Sequence, residues 1–206
     1  MYIPKFYKNE NTDEIKDFVH AHNFGILVTS AEGKIVATHI PFLLHKNKEG
    51  DDVLSGHISK ANPQFKNISI QNEVLVIFQG PHSYVSSSWY DHENVPTWNY
   101  IAVHVYGKLK LIEGEELLQS LRGLVDKHEV NSERPVSIDA MSGPFLQNEI
   151  KGIAGFEIQI ETIEAAKKLS QNRDEKNYYA IVSQLEKKGD ANSKEIAKEM
   201  KKFKKR

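Results

Sequence analysis

Apolar and polar positions recur first with a helical period and later with the period of a β-strand. Residues 15–22 carry mostly apolar side chains at i, i+3, i+4 and i+7 spacing, which predicts an amphipathic helix. Asn11 precedes this stripe and Glu14 follows three residues later, a pair typical of a capping box. The predicted buried stripe consists of Ile15, Phe18, Val19 and His22.

Six later segments have the length and turn boundaries of strands. They span residues 24–30, 34–45, 52–58, 73–80, 100–112 and 155–163. The first two flank the short turn 31–33 and indicate a hairpin, whereas 73–80 is apolar on both faces and should be central. In the two alternating segments, the predicted inward-facing residues are Ile101, Val103, Val105, Leu109, Leu111, Phe156, Ile158 and Ile160.

Helical patterns are too rare between these strands for a doubly wound parallel sheet. Residues 62–68 and 114–128 are predicted helices, the first opened by a proline. Antiparallel strands with helices between and after them predict a mainly β, α+β fold. We expect a closed or nearly closed barrel with peripheral helices.

The C-terminal segment differs in character from the rest of the chain. Two helical patterns follow residue 175, with Ser193 as the predicted N-cap of the second. Residues 186–206 hold nine Lys and Arg against four Asp and Glu, so we predict a main domain, 1–174, and a basic helical extension, 175–206. The extension would dock through Ile196, Met200 and Phe203 and contact DNA phosphates through Lys194, Lys198, Lys201 and Lys202. The alternative is a solvated terminal helix.

Composition narrows the possible functions. The 206 residues carry a formal net charge of −1, so only local groups of cations would attract an anion. No cysteine is present, which excludes disulfides, thiolate metal sites and a cysteine nucleophile. No signal-like or membrane-spanning apolar run occurs, and we expect a cytoplasmic protein.

Two stretches near predicted strand ends combine hydroxyl, imidazole and basic groups. In "ATHIPF", 37–42, the proline interrupts strand pairing and leaves backbone groups for the polar edge of a ring. In "GHISKANPQF", 56–65, hydroxyl, ammonium and amide groups precede a helix start, where phosphates are commonly bound. An edge-strand proline and a solvated loop are the alternative interpretations.

Two further stretches carry aromatic or basic groups. Residues 80–100 hold both tryptophans, Trp89 and Trp98, and aromatic rings with a polar edge suit a flat ligand or a wet interface. In "KKLSQNR", 167–173, three cations flank amide donors that can bind a phosphate or a ring carbonyl. A packing loop and a polar connection between a strand and a helix are the alternatives.

Common catalytic motifs are absent from the sequence. There is no HExxH, GxGxxG, GxxxxGK[ST] or GxSxG, and no residue stands out as a general acid or base. We therefore predict no metal site and name no catalytic residue. A barrel with these four stretches suits a ligand that is flat, polar along one edge and phosphorylated, and FMN has that shape.

Five motifs in this order carry a family resemblance: "ATHIPF", "GHISKANPQF", "GPHSYVSSSWY", "VPTWNY" and "KLSQNR". From residue 2 to residue 173 the chain resembles the PaiB family of FMN-binding split-barrel proteins, mostly described as negative transcriptional regulators. The resemblance implies a six-stranded antiparallel split barrel that pairs as a homodimer, with FMN in a groove at the subunit interface.

The resemblance also implies roles for particular residues. The isoalloxazine ring would be lined by Thr38, His39 and Ile40. The ribityl phosphate would be surrounded by His57, Ser59, Lys60 and Asn62. The groove would be closed, from the partner subunit, by Thr97, Trp98 and Asn99. Phosphate or ring-edge contacts would be completed by Ser170, Gln171, Asn172 and Arg173.

Two positions depart from the family pattern. Ser87 stands where the family usually has a proline, and Ala165 and Ala166 stand where it usually has "GK". If that lysine binds the phosphate, one contact is missing here. Lys167 is a possible substitute, although on a strand it faces the opposite side from Ala166.

The resemblance implies a homodimeric FMN-binding regulator rather than an enzyme. Two alternatives remain open at this point. One is a flavin-dependent oxidoreductase, since bound FMN can accept a hydride. The other is haem binding, which related split barrels carry out and for which the chain has histidines.

Overall fold

The computed structural model describes residues 1–31, 33–68 and 73–204, and the chain falls into two compact units. Unit 1 consists of Met1–Ile15, Gln79–Val103 and Glu164–Arg206. Unit 2 consists of Lys16–Phe78 and His104–Ile163. The predicted domain boundary after residue 174 stays a prediction.

Eight strands and six α-helices are present among the described residues. The strands are β1 (Lys8–Asn9), β2 (Phe24–Ala31), β3 (Lys34–Pro41), β4 (Leu43–Lys46), β5 (Asp52–Ser59), β6 (Glu73–Val85), β7 (Thr97–Ile112) and β8 (Ile153–Lys168). The helices are α1 (Thr12–Ala21), α2 (Gln64–Ile68), α3 (Gly114–Glu129), α4 (Gly143–Lys151), α5 (Glu175–Lys188) and α6 (Ala191–Lys204). In this part of the chain, no helix combines the length and apolar content needed to cross a membrane.

The sheet has the strand order β3-β2-β6-β7-β8-β5-β4. Its two outermost strands, β3 and β4, are consecutive in the chain and only Phe42 separates them. The sheet therefore returns to the segment from which it starts, which makes an antiparallel split barrel with peripheral helices. The predicted fold class is confirmed. Eight strands replace six because β1 was not predicted and the segment 34–45 forms two strands.

Phe42 marks the point where the chain changes its partner in the sheet. Up to Pro41 the chain pairs with β2, and from Leu43 it pairs with β5. The N–H of Phe42 donates to the carbonyl of Asn23 at 2.8 Å, and the Phe42 carbonyl accepts from the Asn23 amide at 3.0 Å. The Phe42 ring is fully buried against Phe78, with ring centroids 5.5 Å apart. Hydrogen bonds and packing thus fix both halves of the interrupted strand.

The three longest strands extend beyond their predicted ends. β6 continues through the Gly80-Pro81 pair to Val85, and β8 continues to Lys168. The predicted alternation in β7 holds up to Leu109, which is buried. It fails in the next pair, where Leu111 is exposed and Ile112 is buried instead. The inward-facing assignment of Leu111 is therefore wrong.

The start of α1 confirms half of the predicted capping box. The Asn11 side chain accepts the N–H of Glu14 at 3.1 Å, as expected for an N-cap. The other predicted bond, from the Asn11 N–H to the Glu14 side chain, is wrong. The Asn11 N–H donates to the Asn9 side chain instead, at 3.1 Å. The Glu14 carboxylate accepts from the Asn9 amide at 3.2 Å. A residue of β1 therefore replaces the second half of the cap.

The last helix, α6, begins earlier than predicted. Asp190, not Ser193, is its cap, because the Asp190 carboxylate accepts the N–H of Ser193 at 2.9 Å. Ser193 is fully buried inside α6 and shares a 2.8 Å hydrogen bond with Ser83. The serine therefore joins the helix to β6 instead of opening it.

The docking side of α6 is largely as predicted. Ile196 and Met200 are fully buried, and the Tyr178 hydroxyl donates to the Met200 carbonyl at 2.7 Å, which joins α5 to α6. Phe203 is 41% exposed, so its assignment as a docking residue is wrong. Residues 205 and 206 of the predicted extension lie outside the described residues.

We expect Asn23→Ala to destabilise unit 2 by about 1–3 kcal/mol, because it leaves a buried carbonyl unpaired. The Asn23 amide bonds the Phe42 carbonyl and lies 3.1 Å from Nε2 of His128, and both contacts would be lost. Urea unfolding monitored by circular dichroism measures the change. Asn131→Ala, at an exposed turn position in the same unit, is the control. An equal effect of both variants would contradict the importance of the strand break.

Candidate functional site

The predicted cofactor-binding residues fall into two clusters, one in each unit. The β3–β5 cluster of unit 2 consists of Thr38, His39, Ile40, His57, Ser59, Lys60 and Asn62. The β7–β8 cluster of unit 1 consists of Thr97, Trp98, Asn99, Ser170, Gln171, Asn172 and Arg173. Within each cluster, hydrogen bonds connect residues from separate parts of the sequence.

Side-chain hydrogen bonds join the two predicted motifs of the β3–β5 cluster. The Asn62 amide donates to the Thr38 hydroxyl at 2.9 Å, which ties "ATHIPF" to "GHISKANPQF". The oxygen of the same amide accepts the N–H of Gln64 at 2.9 Å and so caps α2. Ser59 accepts the N–H of Ala61 at 3.2 Å. The turn between β5 and α2 is therefore held by its own polar side chains.

Gln64 is a residue of this region that the sequence analysis missed. Its side chain is fully buried, and Nε2 lies 3.1 Å from the Leu27 carbonyl and 3.0 Å from the Thr29 hydroxyl. It also lies 3.3 Å from the Val36 carbonyl, so α2 is fastened to both strands of the hairpin. A buried glutamine after Asn-Pro gives no periodic signal, and only the fold shows what it binds.

Strand alternation separates the neighbours Thr38, His39 and Ile40. Ile40 is buried and Thr38 is partly buried, whereas His39 is exposed on the opposite face of β3. The His39 ring stacks on Phe24, with centroids 6.3 Å apart. One face of β3 thus presents the threonine and isoleucine, and the imidazole belongs to the other face.

His57 and Lys60 are groups of this cluster with unused bonding capacity. Nδ1 of His57 is buried and has no hydrogen-bond partner among the described residues. Burial lowers the pKa of His57 below its ordinary value, which favours the neutral imidazole. Lys60 is exposed and forms no ion pair within the described ranges. A ligand could therefore form a hydrogen bond with Nδ1 of His57 and an ion pair with Lys60.

The β7–β8 cluster is built on a buried pair, Asn99 and Ser170. The Ser170 hydroxyl donates to the Asn99 side chain at 3.0 Å. Ser170 has a φ of 57°, a left-handed conformation that is uncommon for serine. The Gln171 side chain accepts the N–H of Leu169 at 2.6 Å, which closes the turn. The same turn leaves Asn172 exposed.

Two cations without acidic partners among the described residues stand at this turn. Arg173 lies over the Tyr90 ring, 5.1 Å from its centroid, and Lys168 donates to the Thr97 hydroxyl at 2.5 Å. Burial and the nearby Arg173 charge lower the pKa of Lys168. Lys168 was predicted only as one of the three cations of "KKLSQNR", and the family resemblance assigned it no role. Its signal in the sequence was the "KLSQNR" motif itself, whose first residue it is.

The two alanines that depart from the family pattern lie inside β8. Ala165 and Ala166 are buried where β8 pairs with β1, with Lys8 opposite Ala166. Lys167, the possible substitute for the missing lysine, forms an ion pair with Glu199 at 2.9 Å. Its charge is therefore already balanced by a carboxylate of α6.

The two tryptophans occupy different surroundings in unit 1. Trp98 is 52% exposed and packs between His82 and Tyr84, with ring centroids 6.0 and 5.9 Å away. Trp89 is partly buried at the end of a short 3-10 helix that Ser87 opens without the family's proline. Trp98 therefore presents the more open ring surface to a ligand or a partner.

Each cluster offers donors that suit part of a phosphorylated flavin. Lys60 in one and Arg173 in the other are cations free of carboxylates among the described residues, and hydroxyl and amide groups stand beside them. Charge-assisted donors of this kind bind phosphate, and amides or imidazole bond ring heteroatoms. When bound, FMN itself supplies a centre that accepts a hydride or electrons.

Comparison with known proteins identifies the family. Residues 1–162 match the family model described as "Putative FMN-binding domain". The chain belongs to this family. "Protease synthase and sporulation protein PAI 2" of Bacillus subtilis is 46% identical over 200 residues, covering 97% of this chain and 96% of that protein. That relative is PaiB, so the predicted family is confirmed, and FMN is the cofactor that the family assigns to this PaiB-type chain.

Solved structures support the fold. The flavocytochrome Anf3 from Azotobacter vinelandii superposes with a TM-score of 0.60 at 19% identity, covering 86% of this chain and 78% of that one. The FAD and heme binding protein from Mycobacterium smegmatis gives a TM-score of 0.56 at 14% identity, covering 84% of this chain and 79% of that one. At these identities the similarity establishes a shared fold and no shared activity.

Proposed function

We propose that this chain is a cytoplasmic, homodimeric FMN-binding protein that represses transcription and has no catalytic role of its own. Its family membership and its 46% identity to a sporulation protein support the proposal. The observation that carries it is the presence of cations beside hydroxyl and amide donors with no carboxylate partner among the described residues. Cations without a carboxylate partner are suited to bind an anion.

The β3–β5 cluster gives this proposal its first test. Lys60 follows β5 directly, and its own N–H donates to the Gly152 carbonyl at 2.9 Å. The backbone is therefore anchored while the ammonium stays available. We propose that the Lys60 ammonium contacts the FMN phosphate, with Ser59 and Asn62 beside it. We propose that His57 binds the same FMN molecule.

We expect purified protein to retain FMN and Lys60→Met to weaken its binding about tenfold, the loss of one charge-assisted contact. Riboflavin, which lacks the phosphate, should bind both proteins equally. Fluorescence titration of the flavin measures both affinities. Lys34→Met, another exposed lysine of unit 2, is the control. Failure of the unaltered protein to bind either flavin would contradict the proposed function.

The outer face of the β2–β3 hairpin supports the homodimer. Ile35 and Phe24 are 76% and 64% exposed, and Phe24 pairs across the hairpin with Pro41. Ile26 and Val28 lie on the same face of β2 as Phe24 and are partly exposed. Apolar side chains gathered on one face of a sheet are typical of a surface that another protein covers.

We expect Ile35→Glu to convert a dimer into monomers of 23.5 kDa, because it places a charge in the apolar face. Light scattering coupled to gel filtration measures the mass at several concentrations. Val130→Glu changes an equally exposed residue after α3 and should leave the dimer intact. A monomeric unaltered protein, or dissociation by both variants, would count against this interface.

We propose that DNA is contacted by the outer surface of α6. Lys194 has no ion pair among the described residues, whereas the other predicted lysines each pair with a glutamate: Lys198 with Glu195, Lys201 with Glu186 and Lys202 with Glu199. The Lys198–Glu195 and Lys201–Glu186 pairs are exposed on both sides and therefore weak, so phosphates can replace these two carboxylates. The apolar side of α6 is buried, which leaves these lysines on the outside.

Charge substitution tests this surface better than truncation, because residues 186–206 include buried core side chains. We expect Lys194→Gln with Lys198→Gln to weaken DNA binding uniformly across sequences and to reduce the salt dependence by about one unit per lost phosphate contact. Fluorescence anisotropy at several salt concentrations measures binding. The control is Lys151→Gln with Lys48→Gln, both exposed lysines of unit 2. Lys48 pairs with Glu116, and Lys151 has no ion pair within the described ranges. Equal binding by both double variants would exclude α6 as the DNA contact.

A further inference from the structure

The adjacent lysines at the end of β8, Lys167 and Lys168, differ in whether an acidic side chain balances their charge. Lys167 forms an ion pair with Glu199 at 2.9 Å and lies 3.9 Å from Glu14, so its charge is balanced within the protein. Lys168 has no carboxylate within ion-pair distance among the described residues. Its ammonium contacts the Thr97 hydroxyl and lies over the Tyr7 ring, 5.6 Å from the centroid. A partly buried cation without a counter-charge is unusual, because burial disfavours the charged form.

Arg173 places a second positive charge at the turn that follows β8. Its N–H donates to the Ser170 carbonyl at 3.0 Å, so the left-handed turn at Ser170 positions it. The guanidinium lies on the Tyr90 ring and forms no ion pair in the part of the chain that the structure describes. Burial of Lys168 and the charge of Arg173 together lower the pKa of Lys168. The turn therefore carries two cations that influence each other, and neither has a carboxylate partner among the described residues.

We propose that Lys168, Arg173 and the Thr97 hydroxyl form a binding site for a phosphate monoester. A phosphate dianion would remove the repulsion between the two cations, and a guanidinium binds two phosphate oxygens at once. The Thr97 oxygen already accepts from Lys168, which leaves its own hydrogen free to donate to a third oxygen. Lys168 is therefore the lysine that would bind the phosphate, because Lys167 already forms an ion pair with Glu199.

The phosphate monoester could come from FMN or from another phosphorylated ligand. The first source rests on the proposed function and makes Lys168 and Arg173, instead of Lys60, the cations that bind the FMN phosphate. The second source leaves that phosphate with Lys60. Both use the same chemistry, since each presents a terminal phosphate with close to two negative charges near neutral pH. Measurements with FMN, with riboflavin and with inorganic phosphate separate the two sources.

The test compares unaltered protein with Lys168→Met and with Arg173→Met, each checked for folding by circular dichroism. If FMN is the source, each variant should bind FMN about tenfold more weakly and riboflavin equally well, as expected for one lost charge-assisted contact. If another ligand is the source, FMN affinity should be unchanged. Inorganic phosphate added to the FMN-loaded protein should then bind about tenfold more weakly to each variant, as followed by phosphorus NMR.

Lys176→Met is the matched control. Lys176 is an exposed lysine of the same unit that already pairs with Asp91 at 2.7 Å, so its removal changes the charge without emptying the site. It should alter neither binding reaction. Unchanged affinity for both FMN and phosphate in the Lys168 and Arg173 variants would overturn the proposal. If the unaltered protein binds no flavin, the proposed function fails, and phosphate binding to the protein alone decides the site.

Discussion

The barrel of this protein depends on a strand that breaks at a single residue. Phe42 carries the chain from pairing with β2 to pairing with β5, and Asn23 bonds both of its backbone groups. Because Pro41 has no N–H, the ladder with β2 would end there in any case. The buried ring of Phe42 then fills the interior where β3 gives way to β4. Closure, core packing and the position of β3 all follow from this break.

The position of β3 in turn determines what "ATHIPF" can offer a ligand. Thr38 faces the side on which Asn62 and Gln64 secure α2, and His39 faces outward beside Phe24. Alternation in a strand makes this separation unavoidable, since successive side chains point to opposite faces. A motif of consecutive residues on a strand therefore describes two surfaces, and only one of them can line a given pocket.

Local signals in the sequence were sufficient for the architecture. Alternation and turn residues predict the strands of an antiparallel barrel, and the cap at Asn11 is predicted correctly. The prediction of Ser193 as a cap is wrong because Asp190, another good cap, lies three residues earlier. The choice between them depends on the contact of Ser193 with Ser83, a residue far away in the sequence. The segment 34–45 is likewise predicted as one strand, since its break requires a partner at Asn23.

In the candidate site, contacts between distant parts of the sequence also decide which charges have partners. Both lysines of "KKLSQNR" look alike in the sequence, and alternation alone says only that they face opposite ways. The difference between them comes from Glu199, which α6 brings to Lys167 and not to Lys168. Three exposed lysines of α6 also have glutamate partners, so charge balance is common on this helix. Against that background, a partly buried lysine with no acidic partner among the described residues is the exception, and the proposed phosphate site rests on it.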